Sequence, residues 1–539
     1  MAPGILYVTM QPKPGLSPDQ FHEWYDNEHG PTRLRLPDIF PNGLRYRATD
    51  GQAPEFLAVY DVTSMHHLDT ERYTTLREHR SAREAEIIGQ VEVKRYFYDL
   101  LDKREAAGFV PVENLPGDEG LGRVTVAVEI ETTAADAAEG EYIKWYTEEH
   151  VGMLSNVTGW LRSRLFRASE GEGRKTLLAL HDYAPTNGLD GPEHKASMET
   201  PRRTSVFERS VASKGRRTYS LFYIFGPAAR DLSSLSRLPP GSTGDFSSGD
   251  GLTVTVGGSS DASISSYIST SDSLSIPYRL EGSGDADAPT IAFSNSLLTS
   301  LHMWDPLVAI IKTARPDLRI LRYDSRGRHS VPQPPHAASL DDVTADLVAV
   351  LDALRIPRLH ALVGVSMGGA ACLNFALKHP ARLSRLVACD FNAASSPANT
   401  QAWKDRIAIS REDSSAGLAT KLAPITVDRW FHPDTTANKP DTVKWMVDMV
   451  SANDVEGFAN SCTALWDYDL KPAMPTCDVP SLLVVGEGDG KGALAKVMDG
   501  FKALLGPNGA ELRVVPNTGH LPMCEEPRVF WDAVASFIT

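Results

Sequence analysis

The run Gly364-Val365-Ser366-Met367-Gly368-Gly369 constrains this chain more than any other. It lies between an apolar, β-rich stretch, HALVGV at 360–365, and a helix-forming stretch that begins at Met367. A strand that turns straight into a helix around a serine forces Ser366 into a strained backbone geometry. Small residues two before and two after it avoid clashes in that turn, and the hydroxyl is lifted out at a helix N-terminus. The dipole end there favours developing negative charge. A bare G-x-S-x-G match is weak; its place between a strand and a helix, inside a longer alternation of the two, makes it specific.

That alternation runs through the C-terminal half. APTIAFSN (288–295), DLRILRYD (317–324), SRLVACD (384–390), SLLVVGEGD (481–489) and ELRVVP (511–516) read as strands. A helix over 339–355 starts at a Ser339 cap and puts Leu340, Val343, Leu347, Val350, Leu351 and Leu354 on one face; a last helix runs from Pro527 to Ile538. ISSYIST and SIPYRLEG, ahead of these, read as an antiparallel pair. The pattern predicts a mostly parallel sheet covered on both faces. Between Asp390 and Pro480 the alternation breaks into helical sequence holding Trp403, Trp430, Trp445 and Trp466. That is far too long for a crossover, and is expected to be a lid, about 392–478, over the C-terminal edge of the sheet.

A serine hydroxyl is a poor nucleophile until a base takes its proton. Around such a turn the partners follow in the order Ser, acid, His. His520 follows the last strand and is the expected base. Asp489 ends the preceding strand among glycines and is the favoured acid, with Asp390 and Glu487 as rivals. An oxyanion needs two aimed N–H donors. Met367 supplies one, and Leu297 or Ser296, in the loop after 288–294, the other. The lid residues Trp403 and Trp430, with Phe431, Trp445, Met446 and Met449, suit a bulky apolar ligand, although core packing explains most such stripes. Lys404, Arg406 and Arg429 suit a carboxylate, or are solvated helix charges.

The first 227 residues carry an internal repeat. Phe21 to His29 recurs as Tyr142 to His150, sharing W-Y-x-x-E-H at an offset of 145 − 24 = 121 positions. Each copy reads β-α-β-β-α-β, with helices expected over Arg77 to Ile88 and Glu199 to Val211. The units span 1–110 and 111–227 and are expected to pair sheet against sheet as a pseudo-dimer. Ser17 and Pro18 mark the start of the first helix. Tyr25, His29, Tyr146 and His150 are candidate acid/base groups, but Trp and Tyr packing under the sheet, with Glu and His closing the helix end, is the favoured reading. The Ser-, Gly- and Pro-rich stretch 228–262 reads as a linker before a domain over 263–539.

Composition narrows the function classes. A net charge of −15 leaves no basic surplus for phosphates or an anionic membrane surface. No apolar run reaches the ~18 residues of a spanning helix, and the N-terminus lacks the pattern of a signal peptide. The five cysteines are odd in number and form no CxxC pair, so reduced cytoplasmic thiols, without a metal site, are expected. A small-molecule substrate, no cofactor, no nucleic acid and no membrane are the resulting expectations, with a homodimer left open.

Several stretches together resemble the 3-oxoadipate enol-lactonases of the α/β-hydrolase fold: Ser294-Asn295-Ser296-Leu297, Leu301-His302-Met303-Trp304-Asp305, Arg322-Tyr323-Asp324-x-Arg326-Gly327, the Ser366 turn, Arg429-Trp430-Phe431, and Gly519-His520-Leu521-Pro522-x-x-Glu525-x-Pro527. The resemblance runs from about 264 to 539. It implies Ser366, Asp489 and His520 as a triad under a helical cap, acting on a lactone or ester of a small organic molecule such as an aromatic catabolite or natural product. The chain departs from the pattern at Leu298, where the family has Gly, and at Arg328-His329, where it has His-Gly. The N-terminal half looks like two fused ferredoxin-like units of the dimeric α+β barrel superfamily, near the EthD-type proteins. C–C hydrolysis of a β-diketone-like substrate by the same triad, cyclase or isomerase chemistry in the barrel half, and a scaffold role for the barrels are the alternatives.

Overall fold

The computed structural model describes residues 3–78, 80–135, 137–169, 176–248, 251–412 and 418–538, and the chain divides into two units, Met1–Ala229 and Arg230–Thr539. In the first, eight strands form a closed antiparallel barrel: β1 (Gly4–Pro12), β2 (Leu44–Ala48), β3 (Phe56–Val62), β4 (Val91–Glu105), β5 (Val124–Thr132), β6 (Trp160–Ala168), β7 (Thr176–Tyr183) and β8 (Val211–Ile224), in the order β1-β3-β2-β8-β5-β7-β6-β4. Each repeat contributes four strands in the same order: fourth, first, third, second. The repeats do not stack sheet against sheet, as expected from the sequence. They join edge to edge, through β2–β8 and β4–β6. The physical reason is that each four-stranded half would otherwise expose two edges of unpaired N–H and C=O groups.

Alternation along each strand divides the core in two. Ile5 and Tyr7 of β1 join Leu57, Leu178 and Leu221 in one cluster drawn from both repeats. Leu6, Val8 and Met10 turn the other way, against Phe21, Trp24 and Tyr25 of the first helical layer. That layer begins where the sequence indicates. The Ser17 hydroxyl accepts from the N–H of Gln20 at 3.1 Å, and Pro18 opens the helix Pro18–Trp24.

The helix does not end at His29. A π turn, Tyr25–His29, leads into a further helical turn, Gly30–Leu34, and the second repeat does the same with Tyr146–His150 and Val151–Leu154. His29 and His150 are therefore not helix-end caps. They are buried mid-run, with the His29 ring 5.0 Å from Trp24 and the His150 ring 4.5 Å from Trp145. The stretch expected as one helix over 77–88 is two, Glu71–Glu78 and Ala82–Gly89, and residue 79 lies outside the described residues. Its counterpart is Pro201–Ser210.

The second unit holds a ten-stranded sheet of β9 (Thr243–Ser248), β10 (Gly251–Val256), β11 (Ser263–Ser269), β12 (Ser275–Gly282), β13 (Thr290–Ser294), β14 (Arg319–Tyr323), β15 (Ala361–Val365), β16 (Leu386–Cys389), β17 (Ser481–Gly486) and β18 (Glu511–Val515), ordered β18-β17-β16-β15-β13-β14-β12-β11-β10-β9. Neighbours from β14 and β13 through β18 are parallel; β9 to β12 are antiparallel. The stretch read as a linker, 228–262, thus differs in structure. It carries the helix Leu232–Arg237 and two strands that extend the sheet, with Thr253 and Thr255 buried and Thr253 Oγ1 2.7 Å from Ser266 Oγ; residues 249–250 of it lie outside the described residues.

After β16 come five helices, Pro397–Glu412, Leu422–Trp430, Pro433–Asn438, Pro440–Ser451 and Val455–Cys462, before the chain returns to β17. Residues 413–417 of this lid region lie outside the described residues. Among the described residues no helix is long and apolar enough to cross a membrane.

Candidate active site

β15 ends in Gly364-Val365 and the chain turns into the helix Met367–Lys378 at Ser366, whose φ of 60° and ψ of −120° no relaxed L-residue adopts. Two glycines make the turn possible. A Cβ on Gly364 would sit 2.3 Å from the carbonyl oxygen of Gly368, and one on Gly368 would sit 2.3 Å from that of Ser294. The helix start is thereby pressed onto the end of β13. The Ser366 N–H donates to the Cys389 carbonyl of β16 at 2.9 Å, which fixes the turn from the other side.

His520 lies on the loop after β18, and its Nδ1 is 2.7 Å from Asp489 Oδ2, just past β17. Both side chains are largely buried. A carboxylate on Nδ1 leaves Nε2 as the nitrogen directed away from it. Among the described residues neither rival acid hydrogen-bonds to His520. Glu487 is exposed and accepts the Asn517 N–H at 3.1 Å. Asp390 follows β16, is fully buried and accepts the Gly486 N–H at 2.8 Å. It lies close behind the pair: ligand atoms of Asp390, Asp489 and His520 all fall within 4.8 Å of one another. Burial, and then the charge of Asp489, push the Asp390 carboxyl well above the usual carboxylate range.

A cavity of about 380 Å³ opens over these groups, bordered by Ser366, Met367, Asp489 and His520 from the sheet side. Trp403 and Arg406 of one lid helix and Arg429 and Trp430 of the next border it from the lid side. Trp430 also braces His520: its carbonyl accepts the His520 N–H at 2.6 Å, and the two rings stack at 5.9 Å. The Arg406 guanidinium lies 4.4 Å from the Trp403 ring. Burial, together with the Arg406 charge, lowers Arg429 to about 10. Among the described residues neither arginine meets a carboxylate in an ion pair. Lys404 does not reach the cavity; it sits 4.9 Å over Trp466. Nor do Phe431, Trp445, Met446 or Met449, of which Met446 and Met449 are buried within the lid.

Leu297 and Ser296 lie buried in the β13 loop, and among the described residues the N–H groups of Leu297 and Met367 meet no acceptor. Asn295 holds the loop: it accepts from Trp304 Nε1 and donates to the Tyr323 carbonyl, both at 2.8 Å. Leu298 takes a φ of 73°, which explains why glycine suits that position. Its carbonyl accepts from Asn453 of the lid at 2.8 Å and from Arg328 at 3.4 Å. The two departures from the enol-lactonase pattern therefore meet, and together tie the β13 loop to the lid. Asn399 and Tyr468 also border the cavity. No local pattern marks them, because they reach it from distant points of the lid sequence.

A parallel sheet, a strained serine at its centre and a histidine–carboxylate pair facing the same cavity define a nucleophile-type hydrolase. Residues 289–527 match the alpha/beta hydrolase fold family. 3-Oxoadipate enol-lactonase 2 of Acinetobacter baylyi is 30% identical over 251 residues, which cover 47% of this chain and 89% of that protein. A carboxylesterase of Bacillus subtilis is 27% identical over 48% of this chain and 82% of its own length. The enol-lactonase of Burkholderia xenovorans LB400 is similar in structure, with a TM-score of 0.44 and 29% identity over 51% of this chain and 99% of that one. The chain belongs to the α/β-hydrolase family, and it is a hydrolase of the lactone- and ester-cleaving type.

Proposed function

We propose that the chain opens a lactone, or cleaves a small ester, that carries a carboxylate elsewhere in the molecule, with Ser366 as nucleophile, His520 as base and Asp489 as its orienting acid. The observation that carries this reading is Ser366 at φ 60° on the wall of the same cavity as His520, whose Nδ1 is 2.7 Å from Asp489. As the Ser366 oxygen bonds to the acyl carbon, its proton passes to His520 Nε2. The negative charge that gathers on the carbonyl oxygen is accepted by the N–H groups of Met367 and Leu297. The acyl C–O bond then breaks, His520 returns the proton to the departing oxygen, and water repeats the sequence to free Ser366 and a carboxylic acid. Asp489 keeps the Nδ1 proton in place and stabilises the transient imidazolium.

Arg406 and Arg429, which border the cavity and among the described residues form no ion pair, support a substrate carboxylate held at the lid, and Trp403 and Trp430 support a planar apolar body. The similarity to an enol-lactonase agrees with that class. A fluorophosphonate should label the wild type and spare Ser366→Ala, and the variant should lose about three orders of magnitude in kcat/KM or more. Arg429→Gln should raise KM for a carboxylate-bearing ester at least about tenfold and leave its methyl ester unaffected. Full turnover by Ser366→Ala would remove the proposal.

For the first unit, we read the two repeats as fused ferredoxin-like halves of an EthD-type α+β barrel. The fourth-first-third-second strand order in each half and the shared W-Y-x-x-E-H turn support this. A cytoplasmic location fits the five unpaired cysteines.

A further inference from the structure

The two repeats of the barrel unit cap the helix beside the buried histidine in the same way and differ in the side chain three residues past the cap. In the first, Ser81 caps the helix Ala82–Gly89 by accepting from the Glu84 N–H at 2.9 Å, and its hydroxyl also donates to Glu28. In the second, Thr200 caps Pro201–Ser210 by accepting from the Arg203 N–H at 3.1 Å, and donates to Glu149 at 2.5 Å. Glu28 and Glu149 each precede the repeat's buried histidine, so Glu84 and Arg203 are structural counterparts. Their charges are opposite. Glu84 Oε1 lies 2.6 Å from His29 Nδ1 and satisfies it. His150, 6% exposed, meets no hydrogen-bond partner at Nδ1 among the described residues, and neither does the buried Nε of Arg203.

Those unsatisfied groups border a cleft between the second repeat's helices and its sheet. Trp145 and Phe207 form one side, with the Arg203 guanidinium 4.2 Å over the Phe207 ring. Lys214 and Arg216 stand exposed at the rim, and among the described residues no carboxylate pairs with Arg203, Lys214 or Arg216. The cleft offers about 30 Å³ to a water-sized sphere, enough for a carboxylate head but not for a whole ring. Among the described residues, three cations that pair with no carboxylate thus stand over a buried imidazole nitrogen that meets no hydrogen-bond partner, the donor set that suits a carboxylate.

We propose that this cleft binds a small organic carboxylate. Its head takes, between His150 and Arg203, the place that Glu84 takes at His29, and its planar apolar body lies outward against the half-buried Phe207. Benzoate is a suitable probe for the full chain, with benzamide as its uncharged counterpart. The ring-nitrogen resonances of His150, assigned through His150→Gln, read this cleft alone and are blind to binding in the hydrolase cavity. Benzoate should shift them saturably and benzamide should not. Arg203→Glu supplies the carboxylate from the protein itself. It should abolish the benzoate response, move the His150 resonances towards those of His29, and keep the wild-type melting temperature or exceed it. Arg203→Gln should weaken binding about tenfold, and carries the test should Arg203→Glu fail to fold. His150 resonances unmoved by benzoate, or an equal benzoate affinity in Arg203→Gln, would overturn the assignment.

Discussion

Asp390 and Asp489 are identical side chains a few ångströms apart in different surroundings. Asp489 Oδ2 lies 2.7 Å from His520 Nδ1. Asp390 is buried deeper and bears both the loss of water and the repulsion of its neighbour. Its raised pKa means that the native state keeps a proton which the unfolded chain releases above its ordinary value of 3.8. Stability supplied by that proton is complete below that value and is lost as pH rises toward the folded-state pKa. Asp390→Asn keeps a neutral donor of the same shape. It should leave kcat within about threefold of wild type and gain on it in unfolding midpoint as pH is raised from 5 to 8. Asp489→Asn, in contrast, should lower kcat by about three to four orders of magnitude. A flat difference in midpoint across that pH range would show that Asp390 is not the protonated partner. At this scale Ser366 and His520 were legible, because turn chemistry and chain order are local properties. The proximity of Asp390 was not, since only the parallel register of β16 beside β17 brings residues 390 and 489 together.

Among elements, the lid and the His520 loop share one carboxylate. Glu525 accepts the Gly519 N–H and the His432 N–H, each at 2.7 Å, so it joins the loop that carries the base to the end of the lid helix that carries Trp430. It is 1% exposed. Glu525→Gln turns one acceptor into a donor facing an N–H and should cost about 1–3 kcal/mol. Thermal unfolding should report that loss. Steady-state kinetics should show a lower kcat, because His520 loses its fixed place, and restoration by substrate analogues that hold the lid shut would argue against this account. The existence of a helical lid could be read from the length of the interruption between strands. Its lining could not. Trp403 and Trp430 reach the cavity while Trp445 does not, a distinction set by how the helices cross rather than by their composition.

For the molecule as a whole, composition misled where pairing partners supply the order. The Ser-, Gly- and Thr-rich run around β9 and β10 has little apolar surface of its own, yet β11 offers a ladder and a hydroxyl for Thr253. A fragment beginning at Ser263 should therefore expose β11 as a new sheet edge. Compared with one beginning at Arg230, it should melt lower, by about 2–4 °C for each kcal/mol lost, and should self-associate. Calorimetry with size-exclusion chromatography checks this, and equal melting of the two fragments would restore 228–262 to the status of a linker. The repeat, by comparison, was visible at once, because W-Y-x-x-E-H survives in both copies. What lay beyond the pattern was the extra π-turn residue that carries each histidine into the interior.

The edge-to-edge closure of the barrel has a consequence for how its two halves can change. Were they separate identical chains, their union would depend on concentration, and every substitution would fall on both sites at once. Held in one polypeptide, β2–β8 and β4–β6 form by intramolecular encounter at any dilution. The copies are then free to diverge. One repeat has sealed its histidine with an internal acid, and the other has reversed that charge and left its cleft open, an asymmetry that no symmetric pair of identical subunits could hold.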